Sequence, residues 1–240
     1  MTAEPSVVVV VPAHNEFALL TRCLTAIRAA ATALTAPTSV VVVLDACDDA
    51  SESLAGQFGP DVHFLPVDER SVGAARAAGF RYAASALGGA GAGIWYATTD
   101  ADTEVGGDWL VRQLASAADM VLGVVRVGQW RHHSDEVAEL YDARYRAETP
   151  LHHHHIHGAN MGFDADAYWR VGGFDALASG EDVDLVERFR SAGCRIHWDD
   201  SLWVTTSDRR NGRAPGGFAD HLEEVSQEVA DEPNRADEAS

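Results

Sequence analysis

The sequence predicts an α/β domain of Rossmann-like architecture, a mostly parallel central sheet flanked by helices. Three observations carry that prediction. Over the first hundred residues short β-branched runs alternate with longer, Ala-rich amphipathic ones, the rhythm of parallel strands joined by crossover helices. The Val runs are nearly unbroken, as in strands covered on both faces. At 240 residues, with 46% hydrophobic and 23% charged residues, the chain is long enough for one large domain with a substantial core.

Taken in order, Ser6 to Val11, Ser39 to Leu44, Val62 to Leu65 and Gly93 to Thr98 read as strands. Between them Glu16 to Leu34, Asp49 to Phe58 and Ser71 to Leu87 read as helices, and Gly88 to Gly93 as a small-residue loop. After Asp102 the rhythm changes. Asp108 to Ala117 reads as a helix, apolar Met120 to Val127 as a strand, charged Ser134 to Arg146 as a helix and His-rich Leu151 to Phe163 as a strand. A short helix Ala165 to Val171, a Gly172-Gly173 turn, a helix Glu181 to Ala192 and a strand near Arg195 to Trp198 follow. From about Leu222 acidic residues and Ala dominate with little apolar periodicity. Residues 221–240 are therefore expected to be a frayed helix running into a disordered acidic tail.

A net charge of -19 excludes a generic nucleic-acid or anionic-membrane surface, which needs clustered cations. The chain has no Lys, so its 18 basic residues are all Arg. Three cysteines, Cys23, Cys47 and Cys194, show no C-x-x-C spacing, and neither a zinc knuckle nor a disulfide framework is expected. The Val7 to Val11 run is too short to span a bilayer and lacks the basic flank of a signal peptide. A cytoplasmic protein without a membrane span is expected.

In a doubly wound sheet, ligands bind at the carboxyl ends of the strands. There stand Pro12-Ala13-His14-Asn15-Glu16 after the first strand, Asp45-Ala46-Cys47-Asp48-Asp49 after the second, and Asp100-Ala101-Asp102 after the fourth. No Gly-rich phosphate loop opens the first crossover, so a pyrophosphate would be held through a metal rather than a helix N-terminus. Two carboxylates one residue apart, with phosphate oxygens and water, suit Mg2+ or Mn2+. Three D-x-D pairs occur, Asp100/Asp102, Asp164/Asp166 and Asp182/Asp184. Placement selects the first, which ends a buried strand in a loop; Asp164/Asp166 reads as a helix N-cap with a first-turn charge.

Pro12 to Glu16, a strand ending in Asp45, Gly73-Ala-Ala-Arg76-Ala-Ala-Gly79, Asp100-Ala-Asp102, Gly158-Ala-Asn160-Met161, Val171-Gly-Gly-Phe174-Asp175 and Gly180-Glu181-Asp182-Val-Asp184-Leu follow one another in this order. That series, over about Val7 to Arg213, resembles the inverting glycosyltransferases of family 2, with the GT-A fold. The resemblance implies a metal-dependent transfer of a sugar from a nucleotide-sugar donor, UDP-sugar favoured, to a small-molecule, glycan or lipid-linked acceptor. It implies one GT-A domain over 1–220, with a nucleotide-binding half to residue 102 and an acceptor-binding half from 103. Pro12, Ala13, His14, Asn15 and Glu16 would line base and ribose, Asp45 would accept a hydrogen bond from the base, and Arg76 would lie near base or pyrophosphate. Asp100 would sit near ribose and metal, Asp102 would be the main metal ligand, and Asp182 the general base.

The second loop departs from the family's Asp-Asp-Gly-Ser pattern, because Leu44-Asp45-Ala46-Cys47-Asp48-Asp49 lacks the Gly turn. The Q-x-x-R-W motif of processive synthases is missing too, which points to single additions. Among cations for the diphosphate, Arg209, Arg210 or Arg213 would close over it from a C-terminal loop. Asp184 reads as a salt-bridge or cap residue. His153, His155 and His157 would share a strand face, but without a carboxylate shell the run is not read as a metal site; His157 would touch donor or acceptor. Trp169, Trp198 and Trp203 read as core residues rather than sugar platforms. Two other readings are a nucleotidyltransferase making sugar nucleotides, which wants a Gly-rich first loop, and a non-catalytic sugar-nucleotide-binding scaffold, which the intact acidic residues disfavour.

Overall fold

The computed structural model describes residues 6–89, 91–147, 155–177, 179–210, 212 and 217–238. The order is β1 (Ser6–Ala13), α1 (Phe17–Ala31), β2 (Thr38–Asp45), a 3-10 turn (Ala50–Leu54), β3 (Val62–Val67), α2 (Val72–Ala86) and β4 (Ile94–Thr98). Then come β5 (Glu104–Val105), α3 (Trp109–Ala115), β6 (Met120–Val127), α4 (Asp135–Ala147), β7 (Met161–Asp164) and α5 (Ala165–Arg170). The series ends with α6 (Glu181–Ser191), β8 (Ile196–Thr206) and α7 (Phe218–Glu238).

Among the described residues all eight strands belong to one sheet, in the order β3-β2-β1-β4-β7-β6-β8-β5. Pairings β1–β2, β1–β4, β2–β3 and β6–β8 are parallel, while β7 runs antiparallel to both β4 and β6, and β5 antiparallel to β8. The Val run of β1 shows why both faces must be covered. Val7, Val9 and Val11 pack with Leu20, Leu24 and Ile27 of α1 on one face. Val8 and Val10 pack with Ala75, Phe80 and Ala83 of α2 on the other. Each fully buried Val, Leu or Ile contributes about 1.5–3 kcal/mol, which makes β1 the spine of the molecule.

Several elements differ from expectation. Asp49 to Phe58 forms only the 3-10 turn over Ala50–Leu54, because Asp49 caps it by accepting from the Ser51 amide at 2.9 Å. β8 runs to Thr206 rather than ending near Trp198. Its register against β6 shifts between Gly123 and Val124, where the Asp199 carboxylate gathers the Ser201 and Leu202 amides. The expected His-rich strand is reduced to β7: His152, His153 and His154 lie outside the described residues, and residues 155–157 are not in a strand. The His155 ring stacks on Tyr145 at 4.4 Å and 8°.

The acidic end differs most. Instead of losing its packing at Leu222, the chain continues as α7, with Ala219, Leu222 and Val225 buried. Their spacing of three places them on one helical face, and that helix lies against α4. There Tyr141 meets Phe218 edge-on at 5.8 Å, and His133 Nδ1 lies 2.7 Å from the Ser226 hydroxyl. An apolar stripe this narrow is hidden among the acids around it.

Candidate active site

A cleft of about 460 Å³ opens at the carboxyl ends of β1, β2 and β4. Its walls include the predicted Pro12, Ala13, His14, Glu16, Asp45, Arg76, Asp100, Asp102, Asp182 and Arg209, together with Ser71, Ser207 and Phe218. Sequence-distant loops meet there because parallel strands deliver their carboxyl ends to one edge of the sheet.

Asp45 ends β2 and is buried. Its Oδ1 accepts from the Glu69 and Arg70 amides at 2.7 and 2.9 Å, and its Oδ2 from the Ser71 amide at 3.1 Å. This carboxylate folds the turn before α2, in which Arg70 has φ 54°, and Arg70 and Ser71 of that turn line the cleft. The expected hydrogen bond to a base therefore competes with three backbone amides. His14 Nδ1 donates to the Asp45 carbonyl at 2.7 Å, fixing the first loop on the second.

Asn15 is not part of the cleft wall. Its Oδ1 accepts from the Asp48 and Asp49 amides at 2.9 and 3.2 Å, and its own φ is 55°. That work replaces the missing Gly turn: a side-chain amide closes the loop, with Cys47 Sγ donating to the Ala13 carbonyl at 3.2 Å.

Asp100 and Asp102 follow β4, and the short pairing of β5 with β8 brings the end of β8 beside them. Asp102 Oδ2 accepts from the Ser207 hydroxyl at 2.6 Å and lies 3.0 Å from Arg209 Nη2. Arg209 also pairs with the buried Glu16, so it spans from the first loop to Asp102. Burial weakens the guanidinium's hold on its proton, but Asp102 and Glu16 outweigh that and raise its pKa. Arg210 is not in the cleft wall; its Nε donates to the His132 carbonyl at 2.6 Å. Arg213 lies outside the described residues.

Arg76 differs from an open diphosphate cation. Its side chain is 3% exposed; Nη2 donates to Asp100 Oδ1 at 2.7 Å and Nη1 pairs with Glu181. The guanidinium also lies 5.5 Å from the centre of the Phe174 ring. Burial lowers its affinity for the proton, yet Asp100, Glu181 and Asp182 together hold its pKa above the usual value. Around Asp100, desolvation pushes the carboxyl up from its ordinary range, against the pull of Arg76.

Asp182 stands in the first turn of α6, whose N-cap is Gly180, where the helix dipole favours a carboxylate. Its Oδ2 accepts from the Gly158 amide at 2.8 Å. Asp184 pairs with Arg188 at 2.6 Å, and Asp164 caps α5 by accepting from the Ala167 amide at 2.8 Å, the structural roles expected of both. Asn160 is a joint rather than a ligand group: its Nδ2 donates to the Val124 and Leu202 carbonyls, and its Oδ1 accepts from Trp109 Nε1. None of Trp169, Trp198 and Trp203 lines the cleft. Trp169 and Trp203 are not core residues; they are 36% and 45% exposed, and Arg126 lies over the Trp203 ring at 5.0 Å. Sequence reasoning missed Ser207, two residues before the arginines it singled out, and the Phe218 and Ala219 wall at the start of α7.

The donor set fits a divalent cation of a particular kind. Among the described residues no group of three His, Cys, Asp or Glu side chains could hold a metal ion, so no all-protein cage is offered. Asp100 and Asp102 supply carboxylate oxygens to one cleft, which suits a cation that brings its remaining ligands as phosphate oxygens and water.

Residues 8–172 match the profile described as glycosyl transferase family 2. The chain belongs to that family. No curated protein matches it in sequence. Among solved structures it is similar to the mannosyltransferase PcManGT from Pyrobaculum calidifontis, in complex with GDP-Man and Mn2+, at 22% identity and TM-score 0.64 over 92% of this chain and 69% of that one. TarS 1-349 from S. aureus, in complex with UDP-GlcNAc, gives 14% and 0.62, covering 92% of this chain and 64% of that one. Glucosyl-3-phosphoglycerate synthase from Mycobacterium tuberculosis, in complex with Mn2+, UDP and phosphoglyceric acid, gives 17% and 0.58 over 94% and 76%. These likenesses establish the shared mixed α/β fold of this glycosyltransferase. The family match stops before α6 and β8, so Asp182 and Arg209 rest on geometry. Among the described residues no helix is long and apolar enough to cross a membrane.

Proposed function

We propose that this family 2 glycosyltransferase moves a sugar, with inversion, from a nucleoside diphosphate sugar to an acceptor hydroxyl, with Mg2+ or Mn2+ at Asp102 and Asp100. The observation that carries this is the meeting of Asp100 and Asp102, from the end of β4, with Asp182, from the start of α6, in one cleft. Solved relatives in complex with GDP-Man, UDP-GlcNAc or UDP, two of them with Mn2+, support the donor class. UDP-sugars are the first donors to test. Asp45 supports the donor pocket by holding the Glu69 to Ser71 turn, and Pro12, Ala13, His14 and Arg70 line the same end.

A divalent cation held by Asp100 and Asp102 would supply charge neutralisation for the leaving diphosphate. Arg209 adds a second positive charge, within reach of the same region from the end of β8. Asp182 takes the acceptor's proton as its oxygen forms the new bond to the anomeric carbon. The bond from that carbon to the diphosphate breaks on the opposite face, and the nucleoside diphosphate leaves with the electron pair. One displacement inverts the centre. The Gly158 amide fixes one Asp182 oxygen, restricting the carboxylate's rotation. Loops 12–16 and 69–71 bind and orient the nucleotide.

The test is a thermal-shift panel of UDP, GDP, dTDP and CDP with and without MnCl2, on wild type and Asp102→Ala, followed by donor hydrolysis in Asp182→Asn. Metal-dependent stabilisation lost in Asp102→Ala, with Asp182→Asn still binding nucleotide but releasing diphosphate at least about a hundredfold more slowly, supports the assignment. Stabilisation by no nucleotide overturns it.

A further inference from the structure

Among the described residues Arg76 is the one buried guanidinium that touches carboxylates from both ends of the cleft. It rises from α2, pairs with Asp100 after β4, and pairs with Glu181 at the start of α6. Glu181 is itself buried, and its neighbour Asp182 faces the cleft.

Two glycines keep the connection tight. A Cβ on Gly158 would stand 2.5 Å from Arg76 Nη2, and one on Gly73 would stand 2.3 Å from the Asp175 carbonyl and 2.9 Å from the Glu181 Cβ. Only a bare backbone leaves room for the guanidinium on one side and for the first turn of α6 on the other. Gly158 then donates its amide to Asp182, so the residue that flanks Arg76 also holds the carboxylate next to Glu181. The loop around 158, the helix start at 181 and 182, and the strand end at 100 form one rigid set around a single planar cation.

We infer that Arg76 is a positioning residue that couples the donor end of the cleft to the start of α6, so that engagement of Asp100 sets the placement of Asp182. The inference rests on the donor-site reading above. On that reading Asp100 lies at a divalent cation's approach, and a cation there draws on the same carboxylate that Arg76 holds through Oδ1. The guanidinium is planar and engages its two carboxylates through different nitrogens. Any shift at Asp100 is therefore passed to Glu181 through a rigid body rather than a flexible chain. A lysine ammonium on a flexible stem lacks that geometry.

Hydrogen–deuterium exchange on the whole chain tests this, with MnCl2 and whichever of UDP, GDP, dTDP and CDP raises the melting temperature as probe. In the wild type the probe slows exchange about tenfold or more in peptides covering 98–104 and 180–186. Glu181→Gln keeps the side chain's shape and removes the ion pair; there the slowing persists at 98–104 and falls below about threefold at 180–186. Arg76→Lys shows the same split. Equal slowing of both segments in Glu181→Gln overturns the coupling, as does a wild type in which 180–186 does not respond although 98–104 does. If no nucleotide slows exchange anywhere in the wild type, the donor-site reading fails and takes the coupling with it.

Discussion

The Arg209 guanidinium lies 3.0 Å from Asp102 Oδ2 and pairs through its other nitrogen with Glu16. A positive group thus already occupies the carboxylate that the proposed cation needs. Two cations sharing one carboxylate repel each other by an amount worth about tenfold or more in affinity. Arg209→Ala is expected to bind Mn2+ alone about tenfold more tightly than wild type, measured from the free Mn2+ signal by electron paramagnetic resonance. The same variant binds Mn2+ with nucleotide more weakly, since it lacks the cation for the diphosphate. Unchanged Mn2+ affinity would show that Arg209 and metal do not contest Asp102.

Asp45→Asn replaces an all-acceptor group with one that carries two donors, facing the amides of Glu69, Arg70 and Ser71. Loss of those buried charge-assisted bonds is expected to destabilise the protein by about 1–3 kcal/mol in the absence of any nucleotide. Urea unfolding of the unliganded variant checks it. A variant as stable as wild type but poorer at binding nucleotide would return Asp45 to the role of base reader.

Gly158→Ala drives a methyl group into the Arg76 guanidinium. Overpacking of this kind costs about 1–3 kcal/mol, and the guanidinium it displaces is the one that pairs with Asp100 and Glu181. A lower melting temperature together with weaker Mn2+-dependent nucleotide binding is expected, whereas Gly107→Ala, where a methyl group meets nothing within 4 Å, leaves both close to wild type.

Asp199 carries the pH dependence that is simplest to isolate, far from the cleft. Burial pushes its carboxyl up, but the Ser201 hydroxyl and amide and the Arg112 guanidinium outweigh burial and hold the pKa below the ordinary value. A depressed folded-state pKa stabilises the protein above the unfolded value, about 3.9, and that stabilisation is lost as pH falls through the folded pKa. Asp199→Asn is therefore expected to be less stable than wild type at pH 7 by about 1–2 kcal/mol. The two unfolding curves converge below about pH 4; a gap that stays constant with pH would remove the charge from the explanation.

The first half of the fold was legible because buried parallel strands need apolar residues on both faces, and Val7 to Val11 supplies them in plain order. β5 was illegible for the opposite reason: Glu104 and Val105 form a strand only because Thr205 and Val204 lie opposite, a hundred residues on. The carboxylates at strand ends were also readable, since topology alone sends them to one edge. The partnership of Arg76 was not, because an arginine in an Ala-rich helix carries no mark of a glutamate 105 positions away. Likewise nothing local distinguishes Arg209, which faces Asp102, from Arg210, which bonds the His132 carbonyl; the path of the chain after β8 decides it.

β7 is the strand that joins the two halves of the sheet, and it enters antiparallel between β4 and β6. While the chain emerges from the ribosome, β4 is complete at Thr98 but its second neighbour begins only at Met161. At about 5–20 residues per second that interval is roughly 3–12 s. Throughout it, the edge of β4 opposite β1 presents unpaired amides and carbonyls beside a sheet already lined with valine, a template for pairing with a second nascent chain. The strand that joins the two halves of the sheet thus also sets how long a newborn molecule is open to its neighbours, and slower elongation across residues 99–160 lengthens that exposure.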